Sequence, residues 1–297
     1  MNVLITGANG SIGKHVCDYF KEQGCYVIGL GRNAECRCNC DEYVCVDMSS
    51  EKLSELYSML SVDKIDAIVH LAADVRHDYK AEILANNCVG VQRLIELCVN
   101  EKIPVFVQLS SLPVIGTPNE HPITEAHSIK PPTLYHVSKR TQEMLADFAS
   151  YTYGLRTVSF RICSPVGIGV NPKTIFTTFV RKAVNQEDLH LIGTGNRKQT
   201  YIHVRDTAQA LYKAVCSNAQ GIYNLASYNL VSNYELAKKC VELTNSSSKI
   251  IFDDRADPED GLCWDVCIDK LKNDTGFEPE ISIDEAILEL ADYLKNQ

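Results

Sequence analysis

The sequence predicts an α/β fold: a doubly wound parallel sheet followed by a smaller C-terminal α/β lobe. Three observations predict it. Short apolar runs alternate with amphipathic helical stretches, a pattern that demands a parallel sheet covered on both faces. A glycine-rich turn joins the first run to the first helical stretch. The chain of 297 residues is also about twice a usual domain of roughly 150, room for one large unit and a lesser one.

Each element follows in order. Residues 2–6 are a short β-branched run that Gly7 ends, and Ile12, Val16, Tyr19 and Phe20 then recur at helical spacing until Gly24. Strands are expected at 26–30 and about 43–46, a helix over about 51–61, and a strand at 67–71. A long helical stretch then runs to about residue 100, and a strand covers 105–109. After about residue 165 the rhythm loosens. Helices near 174–186, 206–217 and 232–244 alternate with short strands at 189–192, 201–204 and 221–225. The expected division is a main unit over 1–165 and a smaller substrate-binding lobe over 166–297, with some of its strands and helices returning to the main unit. A cleft between them is the default ligand site.

Composition narrows the function. The net charge of −9, from 29 Lys+Arg against 38 Asp+Glu, argues against a nucleic-acid or anionic-membrane binder. No apolar run approaches the roughly 18 residues that span a bilayer, and the N-terminus lacks a charged leader region. A cytoplasmic protein with a small-molecule substrate is expected. Thirteen cysteines, odd in number and scattered, read as reduced thiols. The cluster Cys36-Arg37-Cys38-Asn39-Cys40, with Cys45 nearby, raises the question of metal, but its spacing reads as small residues in a surface loop, and no metal site is expected.

The glycine turn is Thr6-Gly7-Ala8-Asn9-Gly10-Ser11-Ile12-Gly13. After a buried strand and opening a helix, Gly7 permits the tight turn, Gly10 the approach of a pyrophosphate, and Gly13 close helix–strand packing. The helix start adds free N–H groups and a positive dipole end. A dinucleotide cofactor is therefore expected. At the end of the second strand, Gly31-Arg32 replaces the acidic residue that holds an adenosine ribose. Gly31 leaves room for a 2′-phosphate and Arg32 can contact it, which favours NADP while leaving NAD possible. Asp47 and Met48, after the third strand, are candidates for the adenine.

Tyr135-His136-Val137-Ser138-Lys139 puts a phenol and an ammonium on one helix face. A cation beside the phenol favours the phenolate, so Tyr135 could exchange a proton near neutral pH. Roughly one Tyr-x-x-x-Lys is expected by chance in a chain with 14 tyrosines, and Tyr234 to Lys238 is a second. Only Tyr135 follows a strand ending in Ser110-Ser111, at the sheet edge where such folds bind ligands. Tyr234 reads as helix packing.

With these motifs in order, the chain resembles the extended short-chain dehydrogenase/reductase family, which holds nucleotide-sugar epimerases, dehydratases and ketoreductases on a Rossmann domain. The match adds Val69-His70-Leu71-Ala72-Ala73, Asn87-Cys88-Val89-Gly90, residues 161–167 and residues 193–206. The resemblance implies that Ser111 hydrogen-bonds the reacting oxygen and Tyr135 transfers its proton. It also implies that Lys139 holds the nicotinamide ribose and lowers the Tyr135 pKa. Leu71, Ala72 and Ala73 would line the cofactor, Asn87 would support the site, and Pro165 and Val166 would pack on the nicotinamide. Helical faces around 90–99 and 136–150 would pair across a two-fold axis, making a homodimer.

Departures from the family pattern matter as much. Leu112-Pro113 stands where dehydratases carry Asp-Glu, so water elimination is not expected. Gln199-Thr200-Tyr201 lacks the usual diphosphate-gripping Arg, leaving Arg197, Lys198 or Arg255 to compensate. Ser164 stands where Asn is common. His121 and His127 flank Glu125 without metal-ligand spacing, His203 reads as structural, Asp206 with Gln209 as a capping pair, and Trp264 as core. The leading reading is an NADP-preferring reductase of a sugar-like keto compound. The alternatives are a nucleotide-sugar epimerase that retains NAD and a non-catalytic NADP sensor.

Overall fold

The computed structural model describes residues 1–76 and 80–297. The main unit opens with β1 (Asn2–Thr6), α1 (Ser11–Glu22), β2 (Tyr26–Gly31), β3 (Glu42–Cys45) and β4 (Ala67–His70). It continues through α2 (Glu82–Leu84), α3 (Gly90–Asn100), β5 (Val105–Ser111), α4 (Leu134–Tyr153) and β6 (Arg156–Ile162). Next come β7 (Ser164–Val166), α5 (Ile175–Val184), β8 (Leu189–Leu191), β9 (Lys198–His203) and α6 (Val204–Cys216). The chain ends with β10 (Gly221–Leu225), β11 (Asn229–Ser232), α7 (Asn233–Leu243), β12 (Ile250–Phe252), β13 (Cys263–Trp264), α8 (Asp269–Thr275) and α9 (Ile283–Lys295).

Seven strands form one parallel sheet in the order β3-β2-β1-β4-β5-β6-β10. The order reverses between β1 and β4, which opens a crevice at the carboxyl ends of the strands. Successive side chains of a strand face opposite ways, so each strand feeds two cores. Val3, Ile5, Val27, Val69 and Val107 face the layer of α1 and α6, whereas Leu4, Ile28, Ile68 and Phe106 face the layer of α3 and α4. This double burial is why the strands read as continuous apolar runs rather than as alternation.

The smaller C-terminal region has its own cluster, including Phe176, Leu189, Tyr201, Leu236 and Ile287. There β9 pairs with β7, β11 and β13, and β8 pairs with β12. Residues 221–225, within the stretch from which some strands were expected to return to the main unit, form the edge strand β10 of the large sheet, paired in parallel with β6. Helix α6 likewise packs on α1 of the main unit.

Two expected helices take other forms. Residues Glu51–Met59 wind as a 3₁₀ helix. Ser54 and Ser58 each donate to the carbonyl three residues back, at 2.7 Å, which favours the tighter winding, and Leu53 and Leu56 meet the core at a spacing of three. The long helix before residue 100 contains a π-turn at Ala85–Val89, which sets Asn87 into the interior. Asp206 is not the cap of α6. The helix begins earlier, His203 accepts from the Arg205 N–H, and Asp206 accepts instead from the backbone N–H groups of Glu280 and Ile281.

Candidate active site

A cleft of ≈ 780 Å³ lies along the carboxyl edge of the large sheet and is walled on its far side by the smaller region. Its floor is the glycine turn. Gly7 has φ +69°, and a Cβ there would lie 2.7 Å from the Ala72 backbone nitrogen. A Cβ on Gly13 would stand 2.1 Å from the Gly7 carbonyl oxygen, so no larger residue fits while α1 keeps its seat on β1. Gly10 is the N-cap of α1 and no side chain caps the helix, which leaves its first N–H groups at the cleft.

The cleft collects nearly every residue expected of it. Gly7, Asn9, Gly10, Ser11, Ile12, Gly13, Arg32, Asp47, Met48, Leu71, Ala72, Ala73, Asn87 and Pro165 line it, and so do Ser111, Tyr135 and Lys139. Val166 does not. Alternation along β7 sends its side chain into the small cluster of the C-terminal region while Pro165 faces the cleft. The room expected over Gly31 is also partly filled: a Cβ there would lie 2.5 Å from the Tyr43 hydroxyl. Glycine at 31 thus follows from the packing of Tyr43 and does not by itself mark space for a phosphate.

Ser111 ends β5, and Tyr135 lies in the first turn of α4, whose cap is Thr133. Lys139, one turn on, is buried and donates to the Leu109 carbonyl at 2.8 Å and to Gln142 at 3.1 Å. Burial lowers its ammonium to about 8. Burial also pushes the Tyr135 phenol up to about 12, the reverse of the lowering expected from Lys139 in the protein alone. The Lys139 nitrogen stands 5.9 Å from the Tyr135 ring centre and spends its hydrogen bonds on β5 and Gln142.

A second layer holds this set. Asn87 donates to Ser138 Oγ at 2.9 Å and to the Asp74 carbonyl at 3.0 Å, and it accepts from the Asp74 N–H at 2.7 Å. It thereby ties α4 to the loop after β4. His70 bonds Thr6 through Nδ1 at 2.8 Å and is fully buried; burial, then the Lys139 charge, lowers it to about 3. Below α4, Arg161 and Ser110 both bond the buried carboxylate of Glu143.

Several lining residues escaped sequence reasoning. Trp264, read as core, packs against the main cluster on one side and lines the cleft on the other. Tyr43, Asp74, Asn86 and Gln199 also line it. Asp74 is held far below the usual carboxylate range, first by Arg76. Of the three cations offered for a diphosphate, Arg197 lines the cleft and pairs with Glu259, whereas Arg255 is exposed and pairs with Asp253. Lys198 is exposed and does not line it. Leu112 and Pro113 do line it, and no carboxylate directly follows Ser111. Tyr234, the rival tyrosine, is exposed, packs its ring at a tilt against Phe252 and does not line the cleft. His127 is buried, bonded to the Asn119 N–H and the Ser128 carbonyl.

Known proteins share this fold. Residues 3–226 match the model of the NAD dependent epimerase/dehydratase family. The low-salt glycan biosynthesis protein Agl12 of Haloferax volcanii is 27% identical over 99% of this chain and 98% of its own. The structure of UDP-glucose 4-epimerase from Thermotoga maritima, solved with UDP-glucose, superposes with a TM-score of 0.89 at 22% identity, covering 100% of this chain and 99% of that one. UDP-glucuronic acid 4-epimerase of Bacillus cereus, solved with UDP-glucuronic acid and NAD, gives 0.84 at 21%, over 100% and 99%. With a family model that spans three quarters of its length and the fold to match, the chain belongs to the NAD dependent epimerase/dehydratase family and is one of its enzymes.

Proposed function

We propose that this enzyme is a cytoplasmic homodimer that reduces a keto group on a nucleotide-activated sugar, with a preference for NADP and with Ser111, Tyr135 and Lys139 as its proton-transfer set. The observation that carries the reading is their convergence in the cleft that the glycine turn also lines. The residues fit a dinucleotide, since Gly7, Gly10 and Gly13 keep a Cβ-free cradle before an uncapped helix start. A bound nicotinamide supplies or takes up the hydride, and the chain does the rest. The start of α1 binds the pyrophosphate, Asp47 and Met48 flank the adenine, and Pro165 packs behind the nicotinamide.

Ser111 hydrogen-bonds the reacting oxygen and Tyr135 gives that oxygen its proton. Because burial holds the phenol near 12, Tyr135 keeps its proton at neutral pH and suits the reducing direction, in which it donates. Lys139, held near 8, stays mostly charged and orients the ribose. Leu112 and Pro113 beside Ser111 offer no group to remove a second proton, which speaks against water elimination. Arg32, exposed at the end of β2, is the group that favours a 2′-phosphate. Thirteen free cysteines suit a reducing compartment.

A second reading, an epimerase that oxidises and re-reduces one sugar carbon, has the support of the epimerase structures that the fold matches. Native mass spectrometry of the purified enzyme, followed by identification of released nucleotide, separates them. Tightly retained NAD overturns the NADP assignment and puts the epimerase first. A chain that arrives without nucleotide and binds NADPH far more tightly than NADH supports the reductase, and Arg32→Ala then removes that preference.

A further inference from the structure

We propose that Cys36, Cys38 and Cys40, in the loop between β2 and β3, form a thiolate site for a soft closed-shell divalent ion of the zinc type. The three Sγ atoms form a triangle with edges of 3.5, 3.7 and 3.8 Å. An ion with metal–sulfur bonds of about 2.3 Å and tetrahedral angles holds its sulfurs about 3.8 Å apart. The sulfurs therefore already stand near three corners of such a tetrahedron, while all three remain free thiols. Among the described residues this is the only group of three or more potential ligands whose donor atoms converge in this way.

The proposal departs from the sequence expectation of no metal because the cluster meets the spacing rule in a manner the Cys-x-Cys repeat hides. The chain bends at Cys38, which folds the segment back so that the sulfurs of Cys36 and Cys40 meet at 3.5 Å, and the three residues between those two cysteines match the spacing usual for zinc pairs. The loop is also built rather than loose. Asn9 accepts from the Arg37 N–H at 2.7 Å and donates to the Glu35 carbonyl at 2.8 Å and to the Tyr43 hydroxyl at 2.9 Å, so the backbone is fixed on both sides of Cys36. Cys38 sits against the sheet over Gly29, where a Cβ would come within 3.2 Å of its sulfur, and it packs against the main core cluster. Arg37 turns its guanidinium onto Glu35 at 2.6 Å, which keeps its charge off the sulfurs.

None of the three cysteines lines the catalytic cleft, so the ion has a structural post: it clips the loop that carries Arg32 and abuts Asn9. On binding, each thiol releases its proton to solvent and each sulfur gives a lone pair to the ion, with no change of oxidation state. Cys36 is exposed and leaves the fourth position open to water.

The test uses the full-length reduced protein, freed of metal with a chelator. It is titrated with Cd²⁺ as a spectroscopic probe and with Zn²⁺ in competition with a chromophoric chelator. The expected result is one ion per chain and a thiolate-to-cadmium absorption band in the ultraviolet that saturates at that ratio. Cys36→Ser, at an exposed position that leaves the circular dichroism unchanged, should weaken zinc binding by about tenfold or more. Cys45→Ser, on the neighbouring strand, should bind as the parent does. Absence of stoichiometric binding overturns the proposal. So does equal weakening by Cys45→Ser and Cys36→Ser, or oxidation of the cluster to a disulfide as its only chemistry.

Discussion

Tyr135 and Lys139 lie one helical turn apart, and burial drives both toward their neutral forms, the phenol to about 12 and the ammonium to about 8. Replacing Tyr135 with Phe removes the proton while keeping the ring, so turnover should fall by about 10²–10⁴-fold with the circular dichroism unchanged. A sensor without catalysis would show no turnover to lose. His70 gives a pH prediction. Its folded pKa of about 3 lies below the ordinary 6.5, so the neutral ring stabilises the fold above pH 6.5 and that stability is lost as the pH falls toward 3. Between pH 7 and pH 5 the parent should lose about 2 kcal/mol more than His70→Asn, read by urea unfolding at both values. Residue identities were legible where a backbone rule dictated them, as at Gly7 and Gly13. They were not legible where a side chain's facing decided the outcome. Val166 points away from the cleft, Trp264 serves both core and cleft, and the three cysteine sulfurs meet across a loop.

At the level of elements, the seam between β1 and α1 is the least forgiving contact in the cleft. A Cβ at residue 13 would overlap the Gly7 carbonyl, and the neighbour is backbone that cannot swing away. Gly13→Ala should therefore lift the start of α1 and weaken dinucleotide binding by about tenfold or more, with a loss of stability on the order of 1–3 kcal/mol. Isothermal titration and thermal unfolding would read the two effects. Strands were legible because burial on both faces writes a plain apolar run. Helix type was not, since the serine back-bonds that tighten Glu51–Met59 and the π-turn that seats Asn87 depend on local hydrogen bonding that apolar spacing does not encode. The start of α6 was misplaced for a related reason: Asp206 looks like a cap in sequence, but its carboxylate is engaged by the chain seventy-odd residues later.

Across the whole molecule, α4 carries an apolar stripe that none of the described residues covers: Val137, Met144, Phe148 and Tyr151 are all exposed. Spaced by seven, four and three, they share a face, and the proposed homodimer predicts that this face is buried between two copies. Met144→Glu should shift light-scattering mass from two chains to one, and an unchanged mass would place the interface elsewhere. The arrangement of layers was legible from the alternation of strands and helices, whereas the membership of each strand was not. Residues 221–225 carry no mark of the sheet they join, and only parallel pairing with β6 assigns β10 to the large one. That pairing has a consequence for the nascent chain. When β6 has left the ribosome, its outer edge is an open row of hydrogen-bonding groups, and the strand that covers it is still about sixty residues from being made. The large sheet cannot finish ahead of the C-terminal region, so the protein should fold late in synthesis and as a whole, with the outer edge of β6 open until β10 is made.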